Sequence, residues 1–396
     1  AKARWDARGI SYRVGDFVRE KVPGDEDFSQ HPAVIAQLTA SPDIDSLSRG
    51  ALTGFSPNSN DFSRGVPEMG ELTDVNQWLD PAERVTERQA AAEKALGFMK
   101  PIHAAMDEVA AAAASRRCNF EGADSIQDFL NRDSPSLFVI LRFLGAYRDR
   151  AVLRIHADRG TEALSDVETI LNLANLFDAD LTLIGGLMQF FAWSSTGPVV
   201  WEGLQAGSWS EQQLSQIEAE LEALDILGSS YQRLYFEAAI GVEGYEALAV
   251  DRAVFDNFLA AFHVPMSRLT WSASPVWWDD FVGELEVLAA KLLPRGWFHQ
   301  WAVDYMQFLD ESYLAPEARA KGIISMDLTR EQQLEFGGPA GWVMESYMQM
   351  GFFTYGQFAA KALEAQSRID LMRVAIALER FKIANGDYPA ELAAVS

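Results

Sequence analysis

Aromatic rings beside carboxylates are what a sugar site needs, and one stretch of the chain supplies both. It reads Pro275-Val276-Trp277-Trp278-Asp279-Asp280, with Glu284 and Glu286 following. Trp277 and Trp278 can cover the apolar face of a sugar ring, and two of Asp279, Asp280 and Glu284 can divide the acid and base roles of glycoside hydrolysis. The same residues suit a plainer role: Asp279 and Asp280 at a helix start stabilise its N-terminus, and tryptophans fill cores. A second acidic group is Glu237, Glu243 and Glu246 in YFEAAIGVEGYEAL. Carboxyls set among apolar residues have raised pKa values, whereas on a solvated helix face they do not.

Other chemistry finds little support. The five histidines, His31, His103, His156, His263 and His299, are far apart in sequence, and none belongs to HExxH or to the Glu-x-x-His pattern of di-iron bundles. His103 and Asp107 share a helix face and read as a packing or surface pair. The single cysteine, Cys118, excludes an internal disulfide and every multi-cysteine metal motif. Arg116 and Arg117 beside it favour a thiolate, although a half-buried structural cysteine explains it as well. With no GxSxG elbow, P-loop or GxGxxG, the sequence calls for no cofactor and no metal.

The charge balance excludes a further class. Thirty-three Lys and Arg against fifty-seven Asp and Glu give a net charge of −24, a surface that repels phosphate backbones and anionic lipid heads. Nucleic acid is therefore not an expected partner, while basic proteins, cations and neutral ligands remain open.

These residues must be positioned by helices, and the helical signals centre on an uncharged run, LTLIGGLMQFFAWSSTGPVVW, from Leu181 to Trp201. Its length invites comparison with a membrane span. Polar Thr182, Gln189, Ser194, Ser195 and Thr196 argue against a span, and Gly197-Pro198 predicts a break in the run. The expected structure is a buried helix covered by helices beginning at Ser136, Thr161 and Ser210.

Residues 1–79 contain frequent Pro and Gly and read as an extended, wrapping arm, with Phe17, Val18, Phe28, Val34, Ile35 and Leu38 available to fill grooves. Asp80-Pro81-Ala82-Glu83 predicts a helix start, with the helix running to about Arg117 and kinked or split at Pro101. Phe138, Leu141, Leu144 and Ala151 mark the buried face of the helix from Ser136, which Gly160 should stop. Leu164, Val167, Leu171 and Ala174 mark that of the next. Ser210 with Gln213 forms a capping box ahead of Leu214, Ile217, Leu221 and Leu224. A body over 80–328 and a C-terminal segment over 329–396 complete the chain. With no alternating strand pattern, the expected fold is all-α: an irregular antiparallel helical bundle or array with few or no strands.

The last helix, IDLMRVAIALERFKIANGDYP, is amphipathic, with Leu371, Val374, Ala375, Leu378 and Phe381 expected inward and Asn385-Gly386 as its stop. It resembles the helix and NG.YP element of type II secretion pseudopilins, in which an N-terminal hydrophobic helix precedes the element and a small sheet follows it. VPGDEDFSQHP, RDRAVLRIHADRGTEALSDVETILNLANLF, GLQAGSWSEQQLSQIEAELEALDIL and ALERFKIANGDYPAEL together resemble a group of long, uncharacterised helical envelope proteins of planctomycete-type bacteria. That resemblance implies a helical fold and a periplasmic or exported location, with an N-terminal membrane or export segment ahead of Ala1 as the only membrane contact.

The resulting expectation is a non-catalytic, exported or membrane-tethered scaffold that binds another protein or an envelope complex. The alternatives are a glycan-directed hydrolase using Asp279, Asp280 or Glu284 near Trp277 and Trp278, and an accessory subunit of a membrane complex.

Overall fold

The computed structural model describes residues 2–7, 9, 11–17, 22–39, 72–118, 136–250, 295–312 and 341–394. Among these the fold is all-α. Numbered in chain order, the helices are α1 (Lys2–Ala7), α2 (Pro32–Thr39), α3 (Arg88–Ser115), α4 (Ser136–His156), α5 (Gly160–Leu176), α6 (Leu183–Ala206), α7 (Glu211–Glu222), α8 (Ile226–Val250), α9 (Arg295–Ser312) and α10 (Gly341–Asn385). No strand occurs among the described residues; a single bridge joins Asp27 to Arg117.

The uncharged run forms α6, which lies against α4, α5, α8 and α10. Its apolar and small residues are distributed around the whole helix, so it is stable only with neighbours on every side. Phe190, Trp193, Val199 and Val200 are buried along it, although Ile184 is exposed. No helix among the described residues is long and apolar enough to cross a membrane. Pro198 does not break α6, contrary to the sequence expectation. Neighbouring helices pack along α6 and hold it continuous across the proline, and in the preceding turn the hydroxyls of Ser195 and Thr196 donate to the carbonyls of Phe191 and Trp193. Pro101 likewise lies inside the continuous α3.

Local caps set most ends. Thr182 accepts the N–H of Gly185 at the start of α6, and Gly207, with φ of 63°, closes its other end in a left-handed turn that returns the Ser208 N–H to the Gly203 carbonyl. Ser210 and Gln213 form the predicted capping box of α7. Leu214, Ile217 and Leu221 are buried, with Leu224 partly so. The α7 helix, however, packs chiefly on α10 rather than on α6.

Two helix starts differ from expectation. Residues Pro81–Glu83 make only a short 3-10 turn, and α3 begins at Arg88. Backbone groups that a continuing helix would use are taken by side chains. Asn76 both accepts the Val85 N–H and donates to the Val85 carbonyl, and Lys94 Nζ donates to that of Glu83. Gly160 opens α5 rather than stopping α4, which ends at His156 ahead of Asp158 in the left-handed region, with φ of 60°. Leu144 and Ala151 are buried on α4 as expected, while the side chains of Phe138 and Leu141 lie outside the description.

The arm docks where it is described. Phe28 and Val34 are buried, Ile35 is exposed, and Phe17 meets Phe236 of α8 edge-on; Val18 and the side chain of Leu38 lie outside the described residues. Backbone exchange between Arg117 and residues 26 and 28 fixes the bridge. One contiguous core runs from Trp5 through Phe28 and Val75 to Phe358 and Ile376.

The inward face of α10 is the main correction. Its buried residues include Phe358, Ala362, Ala365, Ile369, Met372 and Ile376. Leu371 and Val374, expected inside, are 68% and 45% exposed, and Ala375, Leu378 and Phe381 are only partly covered. Ion pairs to α7 account for this rotation: Arg373 reaches Glu222 at 3.2 Å, and Arg380 reaches Glu211 at 2.8 Å and also pairs with Glu218. The small Ala362 and Ala365 then face the body and allow close approach.

Gly186 of α6 is a point of such approach, because an added Cβ would lie 2.5 Å from Cδ of Arg233 and 2.6 Å from the Phe358 ring. Both neighbours are buried, so Gly186→Ala should destabilise by about 1–3 kcal/mol through overpacking. A urea titration should show a lower midpoint with an unchanged slope.

Candidate functional site

Trp277, Trp278, Asp279, Asp280 and Glu284 all lie outside the described residues, as do His263 and Glu286. The second acidic group is described, and its members separate. Glu237 is half-buried in α8 and accepts the N–H of Leu183, the first residue of α6, at 3.0 Å. Glu243 accepts the Val14 N–H at 3.2 Å and lies 3.9 Å from Arg13, tying the arm to α8. Glu246 is half-buried on the same helix.

Glu237 faces a phenol cluster in which Tyr245 of α8 meets Tyr305 of α9 edge-on, and the hydroxyls of Tyr305 and Tyr355 of α10 share a hydrogen bond. Burial pushes the Glu237 carboxyl up to about 7; the Leu183 hydrogen bond opposes the shift, while the nearby Asp180 carboxylate adds to it. The tyrosine hydroxyls are pushed upward by the same burial, so they are neutral donors and acceptors in the ordinary pH range.

The sequence reading misses a second buried centre, at the other end of α6. Glu202 is 1% exposed; it lies 2.6 Å from Nε2 of His156 and accepts from the backbone N–H and the hydroxyl of Thr73, at 2.7 and 2.8 Å. Burial pushes the carboxyl up, but the His156 and Thr73 bonds more than offset it, and it lies below its ordinary value. The only signal in the sequence is that Glu202 is the first charge after the uncharged run.

A third centre joins α3, α4 and α5. Arg150 forks onto Asp166 at 2.6 and 3.0 Å and reaches Asp107 at 3.2 Å, while Arg154 takes the other Asp166 oxygen at 2.7 Å. Asp107 thus pairs with an arginine and not with His103. Burial and then the Arg150 and Arg154 charges hold the His103 imidazole below its ordinary pKa. Cys118 is buried, and its two arginines bind the arm instead: Arg116 donates to the Asp27 carbonyl and Arg117 pairs with Glu26. No group of His, Cys, Asp and Glu among the described residues is arranged to hold a metal.

An open cleft of about 450 Å³ lies where the end of α5 and the middle of α6 meet the start of α8, with Asp178, Trp193, Asp225, Ser229 and Tyr235 in its walls. A polar chain forms its base. Gln189 donates to Asp178 at 2.6 Å, Ser229 donates to the Gln189 oxygen at 3.2 Å, and Arg233 donates to Ser229. These residues are dispersed through three helices, so no local motif announces them.

No family model matches the sequence, and no curated protein or solved structure matches it either.

Because folding raises the Glu237 pKa from its ordinary 4.5 to about 7, the folded state favours the protonated carboxyl. Stability should therefore fall as pH rises through that window, by about 3 kcal/mol in all, as the unfolded chain ionises first. Glu237→Gln keeps an acceptor for Leu183 and removes the ionisation. Urea titrations should show the variant gaining on the wild type progressively between those pH values, with the two curves parallel above them.

Proposed function

We propose that this chain is a non-catalytic helical scaffold, exported or tethered in the cell envelope, that binds another protein through the outward face of α10. The observation that carries this reading is the exposed stripe of Leu371 and Val374, continued by the half-covered Leu378 and Phe381. Three- and four-residue steps over two heptads are the spacing at which one helix receives the apolar face of another. The stripe is held outward by the arginine pairs to α7 and is not left exposed by a loose helix end.

The occupant that fits is an amphipathic helix of a different protein with apolar residues at matching spacing. A net charge of −24 disfavours a second copy and favours a partner of positive net charge. The resemblance to long helical envelope proteins supports the location.

The reading is tested by affinity purification from the native source with the wild type and with the double variant Leu371→Glu, Val374→Glu. Both side chains are exposed, so the variant should melt like the wild type while losing a basic, helix-bearing partner by more than about tenfold in recovery. Partners recovered equally well by both forms would overturn the reading.

A further inference from the structure

We propose that Asn385-Gly386, at the end of α10, is a site of spontaneous succinimide formation whose rate is governed by the last turn of the helix. It is the one Asn-Gly step in the sequence, and Asn385, Gly386 and Asp387 are all exposed. Glycine carries no Cβ, so its backbone nitrogen is the least hindered of any residue's.

The reaction needs only water. The backbone nitrogen of Gly386, having given its proton to solvent, attacks Cγ of Asn385. The Cγ–Nδ2 bond breaks, and the leaving nitrogen takes a proton from solvent and departs as ammonia. The product is a five-membered imide in which the Gly386 nitrogen joins both carbonyl carbons of Asn385. Water then opens the ring at either carbon. Cleavage at Cγ leaves aspartate on the normal backbone, whereas cleavage at the main-chain carbon leaves an isoaspartyl linkage that runs through the former side chain.

The folded geometry opposes the first step at both reacting groups. The Gly386 N–H donates to the Lys382 carbonyl at 2.7 Å, which holds the proton that must leave. Asn385 Nδ2 donates to the Phe381 carbonyl at 2.9 Å, which turns the carboxamide back over the preceding turn. Both acceptors are carbonyls at a helix end, where a continuing helix no longer supplies partners. Gly386, with φ of 86°, takes the left-handed conformation that closes such an end. Opening this one turn frees nucleophile and carboxamide together, so fraying and reaction are coupled. The products weaken the turn in return. Each places a carboxylate at the negative end of the helix dipole, and aspartate has no Nδ2 to donate to Phe381.

The test follows conversion at Asn385 by peptide mass mapping, with chromatographic separation of the aspartyl and isoaspartyl products. The whole chain is incubated in mildly alkaline buffer, either folded or unfolded in guanidinium chloride. Conversion should be slower in the folded chain by at least about tenfold. Ala384→Gly weakens the last turn at an exposed position, and it should bring the folded rate about fivefold closer to the unfolded rate of the same variant. No conversion in the unfolded chain, equal rates folded and unfolded, or a folded rate brought no closer by Ala384→Gly would each overturn the proposal.

Discussion

A helix whose one charge is Glu202 and whose apolar residues lie on every side is stable in water only where those sides meet other elements, and α6 meets them through its small residues. Gly186 admits the Phe358 ring of α10 and the Arg233 stem of α8, and Gly203 admits the indole of Trp209, which donates to the Val200 carbonyl. Such close approach would strand polar groups along α6, and several are matched, although the indole N–H groups of Trp193 and Trp201 are buried without a hydrogen-bond partner among the described residues. Thr182 caps the first turn, and Glu237 accepts the Leu183 N–H at the same end. Gln189, in the middle, donates to the Ala174 carbonyl and to Asp178. Glu202 near the far end receives His156 and Thr73. Burying α6 thus places α4, α5, α8, α10 and part of the arm at once.

The acidic composition takes on a structural role at these contacts. A buried carboxylate is costly unless it is paired and hydrogen-bonded, and removing one partner leaves the other uncompensated. Asp166 has two arginines, and Glu202 has a histidine and a threonine. Glu237 has only an amide and the tyrosine cluster, and burial raises its carboxyl to about 7; burial raises Asp166 as well, with its two arginines opposing the shift. The arm reaches the body through buried apolar residues such as Trp5, Phe28 and Val75 and also through such polar anchors. Thr73 on Glu202 and Val14 on Glu243 fix the arm at two such points.

The fold class, α7 with its capping box and the buried faces of α5 and α6 can be read from the sequence, because caps and apolar periodicity are local and strong there. Breaks are less legible. Pro198 and Pro101 read as interruptions, but neighbouring helices hold the chain helical across them. The start of α3 is misplaced because its competitors are tertiary or semi-local: Asn76 and Lys94 claim backbone groups that Asp80-Pro81 would otherwise direct into a helix. The cleft is illegible for the same reason, since Asp178, Trp193 and Asp225 read singly as a turn residue, a core aromatic and a cap.

The orientation of α10 shows why a correct stripe can be assigned to the wrong side. The helix carries two apolar faces: one of small residues with Ile369, Met372 and Ile376, the other with Leu371, Val374, Leu378 and Phe381. By hydrophobicity alone the second is the better core face, being larger. What decides is fit to a body already shaped by glycines and rimmed by α7 glutamates. The observed orientation buries Ala362 and Ala365 and also aligns Arg373 and Arg380 with Glu222, Glu211 and Glu218. At about 25 cal/mol per Å² of apolar surface, the face left outside retains a gain that burial against any apolar surface would recover. Which face packs within the chain and which stays exposed are therefore set by the same choice.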